Sequence, residues 1–220
     1  MKNKTRKSSK LVSSLPWTSK ERSIFLKLNT PLKIQQYLDS IPYSPDPIYR
    51  SPRSVMLIQK AHCFDGALFA SAALRTNGYP PIIIDILSER DDDHLLALFK
   101  KGNYWGAIAK SNYAGLRYRE PIFRNLRELV LSYFEDFYNI EAEKTLRGYT
   151  YPINLITLDN LDWMTSDEHL EKISEKLDHI RSVKLFTPQM ISSFALVDKR
   201  SYDSGMLGIN LAGVFRPNKK

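Results

Sequence analysis

Apolar positions in the middle of the chain repeat with two different periods, and the change of period marks the elements. In residues 62–77, Phe64, Ala67, Leu68, Ser71 and Leu74 recur at three- and four-residue spacing, which predicts a helix. Gly66, Ala70, Ala72 and Ala73 fill much of the remaining circumference, so this helix is expected to be buried on most sides. Gly78 offers a left-handed stop and Pro80-Pro81 prevent continuation. The pattern then changes. IIIDIL (82–87), HLLALF (94–99) and YWGAIA (104–109) read as strands, with a polar loop SERDDD (88–93) after the first. Lys101-Gly102-Asn103 is a hairpin turn signal between the second and third.

The flanking segments are mostly helical by pattern. Thr30 can cap and Pro31 suits a first helical position, which predicts a helix over 31–40. Four prolines make 41–53 a loop, and 54–60 is ambiguous. Leu126, Leu129, Val130, Tyr133, Phe134 and Phe137 predict an amphipathic helix over 125–138. A further strand is expected at 152–158. Ser166 or Thr165 would cap a helix with Leu170, Ile173, Leu177 and Ile180 on its inner face, and a short helix follows near 188–196. This order predicts an α+β fold, with N-terminal helices packed on an antiparallel sheet and a C-terminal helical extension. A basic tail over 1–18 would lie outside one domain of 19–220, with its core at 31–122 and the extension at 123–220.

Composition narrows the function classes. The 220 residues are 43 % hydrophobic and 25 % charged, with a single cysteine, which argues against wholesale disorder and against a disulfide framework. No uncharged apolar run approaches the roughly 20 residues that span a bilayer, so no membrane is expected. The net charge is +8. Lys2, Lys4, Arg6, Lys7 and Lys10 contribute five of those charges, and Lys219 and Lys220 two more, which leaves residues 11–218 at +1. A nucleic-acid footprint needs a basic face on the fold itself, so none is expected. LVSSLPW (11–17) is too short and polar for the apolar region of a signal peptide. With one thiol as well, a cytoplasmic location is the expectation.

Cys63 carries the candidate chemistry. It lies in the first turn of the central helix, where free backbone N–H groups and the dipole favour a thiolate and can stabilise an oxyanion. His94 opens a strand that can lie against this helix and is the candidate general acid/base. Closing the hairpin between Lys100 and Asn103 puts His94 opposite Ala109. Ser111 is then a diagonal neighbour on the same face, while Asn112 is the better acceptor for an imidazole N–H. Either is a candidate to orient the ring. Gln59 could donate to an oxyanion, and Trp105 could wall a substrate cleft. Asp91-Asp92-Asp93 reads as a solvated acidic turn rather than as a metal site.

The run His62-Cys63-Phe64-Asp65-Gly66-Ala67-Leu68-Phe69-Ala70, ending Ala73-Leu74-Arg75-Thr76-Asn77-Gly78-Tyr79-Pro80, resembles the core of the transglutaminase-like superfamily. His94 at a strand start, Gly102 in the turn and Trp105 on the next strand continue the likeness, which covers residues 31–122. The resemblance implies a papain-like fold with a Cys-His-Asp triad that hydrolyses amides or transfers acyl groups without a cofactor. Its substrate would be a peptide or another amide, including one within a protein. Cys63 and His94 match residue by residue. The usual Asp position falls on Ala109, which shifts the third role to Asn112 or Ser111. A thiol active in this way is expected to react with iodoacetamide well below pH 8. The alternative expectation is a non-catalytic binding module on a degenerate scaffold of the same type.

Overall fold

The computed structural model describes residues 15–217. Local signals set the N-terminal helices. Thr18 caps α1 (Ser19–Lys27) in a capping box with Glu21. Thr30 and Pro31 start α2 (Pro31–Ser40), as expected. The ambiguous stretch is a helix, α3 (Pro52–Ile58), capped by Ser51 with Pro52 at its first position. The central helix α4 (Cys63–Thr76) has the predicted bounds within one residue.

The strands follow: β1 (Ile82–Ser88), β2 (His94–Lys101), β3 (Tyr104–Ile108) and β4 (Arg119–Phe123). After α5 (Leu126–Leu131) come β5 (Leu146–Thr150) and the two-residue β6 (Ile153–Asn154). The chain closes with α6 (Glu171–His179), β7 (Ser182–Lys184), α7 (Pro188–Ser192) and α8 (Lys199–Gly205). The strands form one seven-stranded antiparallel sheet in the order β4-β3-β2-β1-β5-β7, with β6 also beside β1. The α+β class is therefore as expected.

The sheet is covered on both faces, and residue parity decides which face each side chain serves. Ile83, Leu95, Ala97, Phe99 and Ile108 pack with α4 and with apolar residues of α1, α2, α3 and α6. Ile84, Ile86, Leu96, Leu98, Ala107 and Ala109 pack on the other face with Leu129 and Val130 of α5, Leu116, Tyr133 and Phe137. Double coverage explains the nearly continuous apolar runs in β1 and β2.

Several expectations change. Residues 1–14 of the expected tail lie outside the described residues, but Leu15 and Trp17, assigned to the same tail, are buried in the α4-side core. The helix expected over 125–138 stops at Leu131. The Ser132 hydroxyl donates to the Leu129 carbonyl, and Arg119 donates to both oxygens of Ser132, so local bonds replace the next helical turn. A 3₁₀ turn at Phe134–Asp136 keeps Phe137 inward. The strand expected at 152–158 is two residues long and becomes a 3₁₀ segment, Leu155–Leu161. Ser166 accepts from the Glu168 N–H in a turn, five residues before α6 starts. The extension is not purely helical, because β5 and β7 join the sheet.

Candidate functional site

The start of α4 is fixed by side chains on either side of Cys63. His62 is the N-cap. Its Nδ1 accepts from the Phe64 N–H at 3.2 Å, and its Nε2 donates to the Ile48 carbonyl at 2.9 Å. Asp65 completes the cap by accepting from the His62 N–H at 3.2 Å. Asp65 is fully buried and also accepts from the Arg50 N–H and guanidinium, at 2.7 and 3.2 Å. Burial raises the Asp65 carboxyl pKa, while His62 and Arg50 pull it down. Arg50 also pairs with Asp46, so the proline-rich loop is clamped to the helix that carries the thiol.

His94 approaches from the other face of the sheet. It is buried, and its ring stands edge-on to Phe137, 6.4 Å between centroids. Its Nε2 lies 2.7 Å from the Leu116 carbonyl oxygen. A carbonyl only accepts, so the proton sits on Nε2 and the lone pair on Nδ1. The expected approach of His94 to α4 from the same face is thus corrected: Leu95, not His94, points toward the helix. No hydrogen bond joins the thiol to the imidazole among the described residues. Both groups nevertheless line one pocket at the end of the sheet, with a cavity of about 40 Å³. That exceeds the roughly 10–15 Å³ a single water needs.

Burial dominates the electrostatics of both groups. Cys63 is of intermediate exposure, but its thiol is crowded by protein, and desolvation pushes its pKa up to about 12. Asp85 adds to the rise, while the backbone N–H groups of Leu95 and Phe64 oppose it. Burial likewise pushes His94 down to about 4, against the pull of the Leu116 carbonyl. The thiolate expected from the helix terminus is therefore not the resting state. A dipole effect is worth at most about 2 kcal/mol, and desolvation of a buried thiol outweighs it here.

The remaining expected residues lie as follows. Lys101 pairs with Tyr104, so the turn is Gly102-Asn103, with Gly102 at φ 60° in the left-handed region. The β2–β3 register is thus shifted by two from the expected one, and the ladder ends at Ala97–Ile108. His94 faces no β3 residue. Ala109 is buried in the α5-side core, and its backbone is bonded both ways by Gln35. Ser111 and Asn112 line the pocket, but neither orients His94. The Ser111 hydroxyl accepts from the Tyr113 N–H, and the Asn112 amide bonds the backbone of Asn210 and Gly213. The Leu116 carbonyl takes the orienting role, and a backbone group has no sequence signature. Gln59 donates to the Tyr37 hydroxyl and the Met56 carbonyl. Trp105 packs on the α5 side of the sheet under the Lys100 ammonium, 4.1 Å away. Neither residue lines the Cys63 pockets.

A larger cleft of about 520 Å³ opens beside the pocket and shares Cys63 with it. Its walls include Tyr43, Asp46, Tyr49, Asp85, Asp92 and Asp178. Sequence reasoning passed over Tyr43, which lines both spaces. It also passed over Asp85, although an acid inside the apolar run 82–87 was a visible signal. Burial raises the pKa of Asp85 well above its usual range, and Asp93 and Asp178 raise it further. The Asp91 carboxyl accepts from Thr145 and is raised to about 6, chiefly by burial. Among the described residues, no group of three or more His, Cys, Asp or Glu is arranged to hold a metal ion. Nor is any described helix long and apolar enough to cross a membrane. Comparison of the sequence with family models gives no match, and comparison with curated proteins gives none either.

Proposed function

We propose that this protein is a cytoplasmic, cysteine-dependent amide hydrolase or acyl transferase of transglutaminase-like type, acting on a peptide or protein amide. One observation carries the reading: Cys63 and His94 line one water-sized pocket, and the imidazole tautomer is held with Nδ1 free to accept a proton. The Cys63 sulfur attacks the substrate carbonyl as its proton passes to His94 Nδ1, across the water-sized gap. The Cys63 N–H, ahead of the capped Phe64 N–H at the start of α4, is the donor to the developing oxyanion. His94 returns the proton to the departing amine, which leaves a thioester on Cys63. Water or a second amine then attacks the thioester, giving up a proton to His94, and the thiol is regenerated. A neutral thiol and a neutral imidazole suit this concerted transfer; no resting ion pair is needed.

A specific observation favours a second reading. The imidazole lies on the sheet face opposite α4 and makes no direct bond to the thiol, as fits a peptide-binding module that has lost its chemistry. Trapping separates the two. Peptidyl vinyl sulfones and acyl-peptide thioesters are incubated with the folded protein, and intact mass and peptide mapping follow. The enzyme reading expects an adduct on Cys63 that Cys63→Ser abolishes and His94→Gln slows. Absence of any adduct, while iodoacetamide still reaches Cys63 in the same preparation, favours the binding module.

A further inference from the structure

Within residues 207–217, Gly213 and Phe215 line the Cys63 pocket and Ala212 to Phe215 line the cleft beside it, and the way the segment is held is specific. Asn112 treats Asn210 as a sheet neighbour would. Its Oδ1 accepts from the Asn210 N–H at 2.8 Å, and its Nδ2 donates to the Asn210 carbonyl at 2.9 Å. The same Nδ2 donates to the Gly213 carbonyl at 3.2 Å. A side-chain amide has the donor and acceptor of a peptide group, so this pairing reads backbone and is indifferent to the side chain at 210. Gly213 supplies the second element. A Cβ there would stand 2.8 and 3.0 Å from two ring carbons of Tyr43, closer than contact allows. The Tyr43 backbone is fixed by a parallel bridge to Ala61, so the ring can yield only by turning about its own side-chain torsions. Gly213 and Phe215 then line the same pocket as Cys63 and His94.

The segment is lightly held. Apart from the Leu207 and Ile209 N–H groups, which donate to the Ser204 and Met206 carbonyls just before the segment, the hydrogen bonds that tie 207–217 to the rest of the described residues run to Asn112 and to the Tyr43 carbonyl. Leu207 and Leu211 are 81 % and 72 % exposed, and Ile209, Val214 and Phe215 are only half-buried, so none of its large apolar side chains is fully buried. Few buried contacts and exposed backbone bonds place such a segment at the low-stability end of a fold.

We propose that the groove over Cys63 is a polypeptide-binding site that reads backbone through Asn112 and accepts only glycine over Tyr43, and that residues 207–217 occupy it in cis as a displaceable strap. This deepens the cysteine-enzyme reading by naming the ligand as a glycine-containing peptide segment. Its test is independent of that reading, because iodoacetamide needs an accessible sulfur and no catalysis. In the full chain, Gly213→Val should expel the strap by steric clash, and Asn112→Ala should release it by loss of its bonds. Each is expected to raise the rate of Cys63 alkylation at least tenfold at fixed pH, with thermal unfolding verifying that the variant is folded. A synthetic peptide with the sequence of residues 206–217 should bind the Gly213→Val protein and slow its alkylation. The same peptide with valine in place of that glycine should not. The proposal is overturned if neither folded variant reaches the tenfold rise, or if the valine peptide protects Cys63 as well as the glycine peptide does.

Discussion

The two faces of the sheet deliver the two halves of the candidate chemistry, and they do so differently. On the α4 side, the thiol is set by a capping box and a buried ion pair: His62, Asp65 and Arg50 fix the helix start and the loop beside it. On the α5 side, the imidazole is set by one bond to a backbone carbonyl and by packing against Phe137. The first arrangement is over-determined by charged side chains. The second is steered by a single acceptor. Burial nevertheless discharges both groups, moving the thiol and imidazole pKa values in opposite directions. Position at a helix terminus does not make a cysteine reactive when desolvation opposes it.

The largest effect should come from breaking the imidazole side alone. His94→Gln is expected to slow acylation of Cys63 by about 10²- to 10⁴-fold, the usual contribution of a general base. Iodoacetamide alkylation should change by less than about twofold, since no bond joins ring and sulfur; rates of both reactions on one preparation check this. A parallel drop in alkylation would show that the two faces are coupled more tightly than their geometry implies.

On the thiol side the expected cost is in stability. Asp65→Ala leaves the buried Arg50 guanidinium with only the more exposed Asp46 as an acidic partner and removes half of the capping box. A loss of about 3–5 kcal/mol is expected, read from the shift of the urea midpoint at unchanged slope. A loss below about 1 kcal/mol would mean that Asp46 alone satisfies Arg50.

The His94 pKa falls from an ordinary value near 6.5 to about 4 on folding. The unfolded chain therefore binds more protons between those values, and stability from this group is lost as pH falls through that window. At full protonation the loss is on the order of 3 kcal/mol. Asp91 acts with the opposite sign. Its folded pKa is raised to about 6, so its contribution is present at low pH and is lost as pH rises through about 6. Asp65 and Asp85, also raised by burial, act with Asp91, so in the wild type His94 offsets part of the acidic trend. Removing the imidazole with His94→Gln should steepen the acidic trend, with a larger fall in melting temperature from pH 4.5 to 7 than in the wild type. The same fall in the wild type would show that His94 is not protonated on unfolding as this balance requires.

The smallest effect concerns Gln59. Its amide is tied to Tyr37 and Met56 away from both Cys63 spaces. Gln59→Ala is expected to alter trapping of Cys63 by less than twofold, and a tenfold loss would restore it as an oxyanion donor.

Local code made a large part of this molecule legible. The caps and prolines around α2 and the small-residue stripe of α4 announced those helices, and the apolar runs announced β1 to β3. The other strands carried weaker signals. β4 is half-exposed and holds Pro121, β5 holds Gly148 and Arg147, and β7 is three residues long. Within the site, Cys63 and His94 are side chains with visible chemistry, and they do share a pocket. The orienting Leu116 carbonyl and the strap glycine at 213 are backbone features with no such mark.

By itself, then, the sequence determined the α+β class, the central helix with its cysteine at the first turn, and the near neutrality of residues 11–218. Those follow from capping, periodicity and composition, which act over a few residues or over the whole chain at once. Only the tertiary structure decided that the hairpin closes one position later, and that Asn112 holds residues 210 and 213 rather than the imidazole. It also decided that the thiol and the ring enter their pocket from opposite faces, both discharged. The physical reason is common to all of these. Register, desolvation and contacts between residues about a hundred positions apart depend on what the folded chain places side by side, and no local pattern encodes that.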